Sequence, residues 1–179
     1  ERLPSFNDDI QGTGAVALAG VLSSGRLTGT PISQQRVVVH GAGAAGLGIT
    51  RQIKAAMRLA GLSEADCVQR VAALDSRGQL VADHEQRDAY KRDLAWPADY
   101  AQGLGLGPSA DRDLEAVVRA FRPTVLVGTS GQPGCFNERI VRALHPHIGA
   151  RLPLPDGTFL GVLRARVGDD GTLELLEQG

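Results

Sequence analysis

The stretch RVVVHGAGAAG, residues 36–46, decides the fold class of this chain. Its valine run predicts a buried parallel strand, because β-branched side chains fill strands that are covered on both faces. Gly41, Gly43 and Gly46 follow at once with the spacing GxGxxG. Glycines at such a turn let the backbone approach a pyrophosphate, and the N–H groups of the next helix point at it. A tight turn without a ligand is the alternative, because the chain contains 23 glycines. A predicted strand before the glycines and an acidic residue after them favour dinucleotide binding.

That acid is Asp75. Residues 44–60 carry apolar side chains at helical spacing and end at Gly61, and a short capped helix is predicted from Ser63. Residues 68–74 predict a second strand, so Asp75 lies at its carboxyl end, where a carboxylate can accept hydrogen bonds from ribose hydroxyls. It is further from the glycines than the usual spacing of about 20 residues. A turn residue in the sequence Asp-Ser-Arg-Gly is the competing interpretation.

The form of the dinucleotide, NAD or NADP, stays open at this point. Ser76, Arg77, Lys91 and Arg92 could place a hydroxyl and positive charge near a 2′-phosphate. They could equally form a solvated face of the protein.

A pair of acids precedes the first predicted helix, in FNDDIQGTG, residues 6–14. Adjacent carboxylates such as Asp8 and Asp9 repel each other unless a cation or a proton separates their roles. One of them could bind Mg²⁺ or Mn²⁺ while its neighbour orients a base. From these two residues alone, a helix N-cap plus a surface acid is the simpler explanation. The small, apolar residues 13–22 predict a buried helix that ends at Ser23, Ser24 and Gly25.

The middle of the chain alternates between polar and apolar segments. Residues 76–108 are rich in charge, glycine and proline, which predicts a surface excursion with one helix over residues 85–94. Asp111 is placed to cap a helix over residues 114–121. Residues 123–128 predict a third buried strand, followed by a loop and a helix over residues 137–144.

Beyond His147 the pattern changes. Two alternating segments flank GDDG, residues 168–171, which predicts a β-hairpin. The chain thus divides into residues 1–147, an α/β, Rossmann-like three-layer domain with a parallel sheet, and a divergent tail of residues 148–179.

The composition narrows the classes of function. A length of 179 residues suits one globular domain, and a net charge of −1 gives no reason to expect a nucleic acid or a membrane surface as partner. Cys67 and Cys135 have no metal-ligand or redox spacing, and the four histidines show no ligand spacing. Apolar runs are shorter than a membrane span and the first residues lack signal-peptide features. A reduced, cytoplasmic protein is expected.

Four segments taken together resemble the NAD(P)-binding domain of malic enzymes, including the similar malolactic enzymes. They are FNDDIQGTG at residues 6–14, GAGAAGLG at 41–48, LDSRG at 74–78 and PTVLVGTSGQPGCF at 123–136. The resemblance runs in order from about residue 4 to residue 147.

This resemblance implies oxidative decarboxylation of L-malate to pyruvate and CO₂, with a nicotinamide cofactor and Mg²⁺ or Mn²⁺. It implies that Asp9 is a metal ligand and that Asp8 is a catalytic neighbour supporting the base lysine. It also places a set of residues around the cofactor: Thr13, Gly43, Ala44, Ala45, Asp75, Thr129 and Ser130. Gly41 and Gly46 of the loop and Ser76 complete the predicted cofactor-binding residues.

The family's base lysine, its tyrosine acid and two further acidic ligands precede the FNDD motif and would lie before Glu1. We therefore expect the cofactor-binding portion of a malic enzyme, inactive without an upstream domain and prone to form a homo-oligomer through exposed apolar surface. A stand-alone, non-catalytic dinucleotide-binding or assembly module and a malolactic enzyme fragment remain as alternatives.

Overall fold

The computed structural model describes residues 4–82, 89–107, 112–137, 139–140, 143–144, 164–167 and 173–176. The α-helices in this part include α1 Thr13–Thr28, α2 Ala44–Leu59, α3 Glu64–Arg70, α4 Ala89–Arg92, α5 Ala98–Gly103 and α6 Leu114–Phe121. The strands are β1 Val37–His40, β2 Val71–Asp75, β3 Gly78–Gln79, β4 Val125–Gly128, β5 Arg164–Val167 and β6 Leu173–Leu176. A π-helical turn, Asp8–Gly12, leads into α1.

Four strands form one sheet in the order β3-β2-β1-β4. β1 runs parallel to both of its neighbours, with Val37 opposite Val71 on β2 and Val125 on β4. The short β3 returns antiparallel to β2. The expected α/β domain is therefore confirmed, with a sheet that is mostly and not wholly parallel. The carboxyl ends of β1, β2 and β4 meet at one edge.

Both faces of this sheet are covered, which explains the unbroken valine run of β1. Successive side chains of a strand point to opposite faces. Val37 and Val39 belong to one buried cluster with residues of α1, α2 and α3. Val38 belongs to a second cluster, which contains Trp96 and the apolar face of α6. Each cluster is a layer of core between the sheet and its helices.

Helix α1 is longer than the sequence predicted. It continues through the serine pair to Thr28, where Gly29 adopts a left-handed φ of 68° and ends it. Ser24 does not break the helix, because its hydroxyl donates to the Val21 carbonyl, Oγ to O 2.9 Å. The predicted stop at Gly25 was wrong. Gly25 is needed inside the helix, because a Cβ there would lie 2.7 Å from the Thr30 carbonyl oxygen.

The segment after β2 is part of the core, so the predicted surface excursion was wrong. Leu80, Leu94 and Trp96 are each no more than 3% exposed. The backbone holds them there, because Leu80 N–H donates to Ala73 O across 2.9 Å and Trp96 N–H donates to Leu80 O across 2.9 Å. In this segment α4 falls within the predicted helix, α5 was not predicted, and residues 83–88 lie outside the described ones.

Trp96 anchors this segment beneath the sheet. Its indole Nε1 donates to the Val71 carbonyl across 2.9 Å. Tyr100 and Phe121 meet the indole edge-on, each with a ring centroid 5.0 Å away. Trp96 is therefore a packing residue of the core.

Helix α6 begins as expected but with a different cap. The Asp113 side chain accepts from Ala116 N across 2.8 Å, while Asp111 lies outside the described residues. In the helix predicted over residues 137–144, the described residues 139, 140, 143 and 144 are helical, whereas residue 137 is not.

In the tail, β5 pairs antiparallel with β6, Arg164 opposite Leu176. The GDDG turn and the other residues from 145 to 179 lie outside the described ones. Across the described helices, none has the length and apolarity that a membrane crossing requires.

Candidate functional site

A cleft of about 280 Å³ opens at the carboxyl edge of the parallel strands. Ligands of open α/β sheets bind at this edge. The cleft is lined by the glycine turn, the end of β2, helix α4 and the loop after β4: His40, Gly41, Ala42, Gly43, Asp75, Ser76, Tyr90, Lys91, Ser130 and Gln132. We refer to it below as the carboxyl-edge cleft.

The turn after β1 is fixed from two sides at Gly41. Its N–H donates to Leu74 O on β2 across 2.8 Å. Its φ of 123° lies where side chains are rarely accommodated. A Cβ at this position would lie 2.6 Å from both Thr129 Oγ1 and Ser130 N. The first glycine of the motif is therefore required both by the backbone conformation and by the loop from β4.

The other two motif glycines differ in their surroundings. A Cβ at Gly46 would overlap the Gly41 carbonyl oxygen, so this glycine lets α2 pack against the turn. At Gly43 a Cβ would meet nothing within 4 Å. Gly43 precedes the first turn of α2, where Ala44 and Ala45 follow. Amides of a first helical turn have no partner within their own helix, so this open side suits an anion.

The loop after β4 closes onto the same turn. Thr129 Oγ1 donates to Gly41 O across 2.8 Å, and Thr129 N–H donates to His40 O across 2.8 Å. Ser130, the next residue, lines the cleft and lies 3.8 Å from the Cys135 sulfur through its hydroxyl oxygen. The structure thus brings the predicted residues Thr129 and Ser130 to the glycine loop.

Asp75 both lines the cleft and orders the strand end. Its Oδ1 accepts from the Arg77 backbone N–H across 2.8 Å, as a turn residue would. Its Oδ2 accepts from Lys91 Nζ across 2.8 Å, and the two side chains are only 11% and 15% exposed. Ser76, beside it, is exposed at the cleft. Asp75 thus makes the contact expected of a turn residue, and its contact with a ribose stays a prediction.

The charge of Asp75 is maintained despite its burial. Burial by itself raises the pKa of this carboxyl group, but the hydrogen bond from Lys91 and the backbone N–H of Arg77 outweigh it. The net result is a pKa below the ordinary value. The carboxyl edge thus presents a fixed negative charge at neutral pH.

The N-terminal acids lie apart from this cleft. Asp8 and Asp9 are exposed in the π-helical turn, whose N-cap is Asn7 without a side-chain cap bond. Thr13 donates to Asp8 O through Oγ1 across 3.2 Å. None of these three predicted residues lines the carboxyl-edge cleft, so the structure does not bring Asp9 or Thr13 to the glycine loop there. Within the described ranges, no three acidic, histidine or cysteine residues group as metal ligands.

Five cleft residues were not assigned a role from the sequence: His40, Ala42, Tyr90, Lys91 and Gln132. Lys91 was considered only as a charge near a 2′-phosphate. Its pairing with Asp75 spans 16 residues, and no local pattern encodes such a contact. His40 could have been flagged as a polar residue at the end of an otherwise apolar strand.

Comparison with known proteins places this arrangement in a family. Residues 10–153 match the family model described as malic enzyme, NAD binding domain. The chain is 40% identical over 163 residues to NAD-dependent malic enzyme 3 of Bacillus subtilis, covering 89% of this chain and 29% of that protein. It is 39% identical to the NAD-dependent malic enzyme of Schizosaccharomyces pombe, covering 84% and 26%.

Solved structures give the same fold. The crystal structure of Entamoeba histolytica malic enzyme superposes with a TM-score of 0.59 at 24% identity, over 79% of this chain and 26% of that one. The chain therefore spans less than a third of the length of these relatives. By the match over residues 10–153, this chain belongs to the malic enzyme NAD-binding domain family.

Proposed function

We propose that this chain is the NAD(P)-binding portion of a malic enzyme, which converts L-malate to pyruvate and CO₂ by oxidative decarboxylation. The observation that carries the proposal is the glycine turn, with Gly41 and Gly46 sterically required and Gly43 open to a ligand. The turn lies at the carboxyl edge of a parallel sheet, where dinucleotides bind in such folds.

The described residues fit a dinucleotide. In the proposed complex the pyrophosphate lies against Gly43 and the first turn of α2, where Ala44 and Ala45 supply backbone N–H groups. Asp75 accepts hydrogen bonds from ribose hydroxyls, and Ser130 contacts the cofactor from the loop after β4. The bound nicotinamide cofactor supplies the hydride acceptor for malate oxidation.

For the cofactor form we propose NAD in preference to NADP. Asp75 is ionised in the cleft and would repel a 2′-phosphate. The charge of Lys91 is directed at Asp75, with Nζ 2.8 Å from Oδ2, and the Arg77 guanidinium lies 3.7 Å from the same oxygen. The B. subtilis and S. pombe relatives are named as NAD-dependent enzymes.

The described residues do not by themselves fit a divalent metal. Asp9 is exposed and supplies one carboxylate. The described residues contain no group of three candidate metal ligands. Mg²⁺ takes six ligands or so and is held through several oxygens. We therefore propose Asp9 as one ligand and Asp8 as its supporting neighbour, both acting only together with residues from the rest of a longer enzyme.

The glycine turn and Asp75 are also compatible with the non-catalytic alternative. A dinucleotide-binding module without turnover would need the glycine turn and Asp75 but no metal group. A malolactic reaction would use the same cleft.

We further propose self-association, because α1 leaves Val16 and Leu27 exposed at 73% and 74%.

Calorimetric titration tests the proposal. The chain is titrated with NAD⁺ and NADP⁺, each with and without Mn²⁺, beside a Gly43→Asp variant. The added carboxylate has open space at Cβ, so it leaves the fold intact and repels the pyrophosphate. Gly20→Asp is the matched control, because a Cβ at Gly20 on α1 also meets nothing within 4 Å.

We expect saturable binding of NAD⁺, weaker binding of NADP⁺, loss of binding in Gly43→Asp and retention in Gly20→Asp. Absence of binding by the folded wild-type chain would overturn the proposal. Equal binding by Gly43→Asp would show that the ligand lies elsewhere.

A further inference from the structure

His40 stands out among the residues of the carboxyl-edge cleft as a buried polar group without a partner. It is 7% exposed, and neither Nδ1 nor Nε2 has a hydrogen-bond partner among the described residues. Buried polar atoms are nearly always hydrogen-bonded, so an exception calls for an explanation. A buried histidine with only a structural role would be expected to form a hydrogen bond through at least one ring nitrogen.

The position of His40 directs attention to the ligand. It is the last residue of β1 and lines the cleft directly beside the Gly41 turn. The Phe136 ring packs against it, with centroids 6.1 Å apart. The His40 backbone is fixed, because its carbonyl accepts from Thr129 N–H across 2.8 Å. The imidazole is therefore held at the cleft with its hydrogen-bonding capacity unused by the described protein.

We propose that His40 is a binding residue for the dinucleotide and donates a hydrogen bond to an oxygen of its pyrophosphate. This rests on the proposed function. The adjacent Gly43 side of the turn is open, and an imidazole N–H is a suitable donor for an anionic oxygen. His40 thus adds a side-chain contact to the backbone contacts of the turn.

The proposal predicts that binding is coupled to a proton. Burial lowers the pKa of His40 below its ordinary value, so the free imidazole is neutral near pH 7. A bound pyrophosphate favours the charged form and raises that pKa. Binding therefore takes up a proton, and affinity increases as the pH falls from about 8 to about 6.

Other ionisable groups lie around His40 and have to be separated from it. Asp75 and Lys91 face the cleft as an ion pair, Tyr90 lines it from α4, and Cys135 belongs to the loop that carries Phe136. A His40→Gln variant retains all of these groups. It keeps a side-chain donor and does not titrate, so any pH-dependence that it loses belongs to His40.

The probe for the test is ADP-ribose, which carries the pyrophosphate without the charged nicotinamide. Its phosphates are diesters, so they lack the second ionisation near pH 6 of a phosphate monoester. Calorimetry in two buffers of different ionisation enthalpy gives the number of protons taken up on binding. The proteins are the 179-residue chain, His40→Gln and His40→Leu, each checked for folding by its thermal transition.

We expect the wild-type chain to take up a fraction of a proton and to bind ADP-ribose several-fold more tightly at about pH 6 than at about pH 8. His40→Gln should take up none, and His40→Leu should bind more weakly at every pH. Equal proton uptake in wild type and His40→Gln, or undiminished binding by His40→Leu, would overturn the assignment. If the wild-type chain binds ADP-ribose and Gly43→Asp does not, either of these two results rejects only the role of His40 and leaves the proposed function standing. If the folded wild type does not bind, the proposed function and this inference fall together.

Discussion

Lys91 Nζ lies 2.8 Å from Asp75 Oδ2, and the two side chains are only 15% and 11% exposed. The pair joins α4 to the end of β2 and forms one wall of the cleft. It therefore contributes to stability as well as to the proposed ribose contact.

Replacing the Asp75 carboxylate should reveal how much the ion pair contributes to stability. Asp75→Asn leaves the Lys91 ammonium without its anion, and we expect the free energy of unfolding to fall by about 1–3 kcal/mol, measured by urea denaturation at neutral pH. Asp93→Asn is the comparison, because its ion pair with Arg51 is 66% and 52% exposed. Exposed pairs contribute about 0–1 kcal/mol. Equal losses in the two variants would contradict the partly buried character of the Asp75 pair.

The same pair predicts a pH dependence of stability. The pKa of Asp75 is lowered in the folded chain, so its contribution is present above the unfolded value of about 3.9 and is lost as the pH falls through the folded value. The difference in unfolding free energy between wild type and Asp75→Asn should therefore be constant from about pH 7 to about pH 5 and shrink at lower pH. Urea titrations across this range measure it. A difference that grows on acidification would contradict the assignment.

Two alanine substitutions in the glycine turn should differ in their effect on stability. Gly46→Ala places a methyl group on the Gly41 carbonyl oxygen, whereas Gly43→Ala points into open space. We expect Gly46→Ala to destabilise the chain by about 1–3 kcal/mol through overpacking. Gly43→Ala should change stability by less than about 1 kcal/mol. Thermal unfolding followed by circular dichroism measures both, and a similar loss in both variants would count against the packing described for Gly46.

The cap of α6 supplies a test on the other face of the sheet. Asp113→Ala removes the acceptor of the Ala116 N–H, and we expect a loss of about 1 kcal/mol. Asp113→Asn retains an acceptor and should be close to wild type, because asparagine is an equally good N-cap. If the two variants lose equally, the charge of Asp113 and not its hydrogen bond is the stabilising factor. Urea denaturation of the three proteins distinguishes the two.

The parts of the fold that the sequence predicted are those with local signals. The valine run of β1 predicts a strand, because burial on both faces restricts the residue types that fit. The glycine turn is recognisable because its positive φ favours glycine. The apolar stripe of α6 does the same for a helix. In each case neighbours in sequence are also neighbours in structure.

The parts that were mispredicted depend on distant partners. Leu80 and Trp96 are buried because their backbone groups pair with Ala73 and with each other, in a segment whose composition is typical of a surface loop. Lys91 is likewise a solvated residue by composition and becomes a cleft residue only through Asp75. The imidazole of His40, which has no hydrogen-bond partner among the described residues, is also recognised only once Phe136 and the cleft surround it.

The burial of Trp96 has a practical consequence. The chain contains a single tryptophan, 0% exposed and bonded to the first residue of the strand that ends at Asp75. All intrinsic indole fluorescence therefore originates from one site in the core layer beneath the sheet, and its emission should be blue-shifted in the folded chain. A red shift would mark the loss of this layer of the core, so that one spectroscopic signal reports on the integrity of the sheet without an added label.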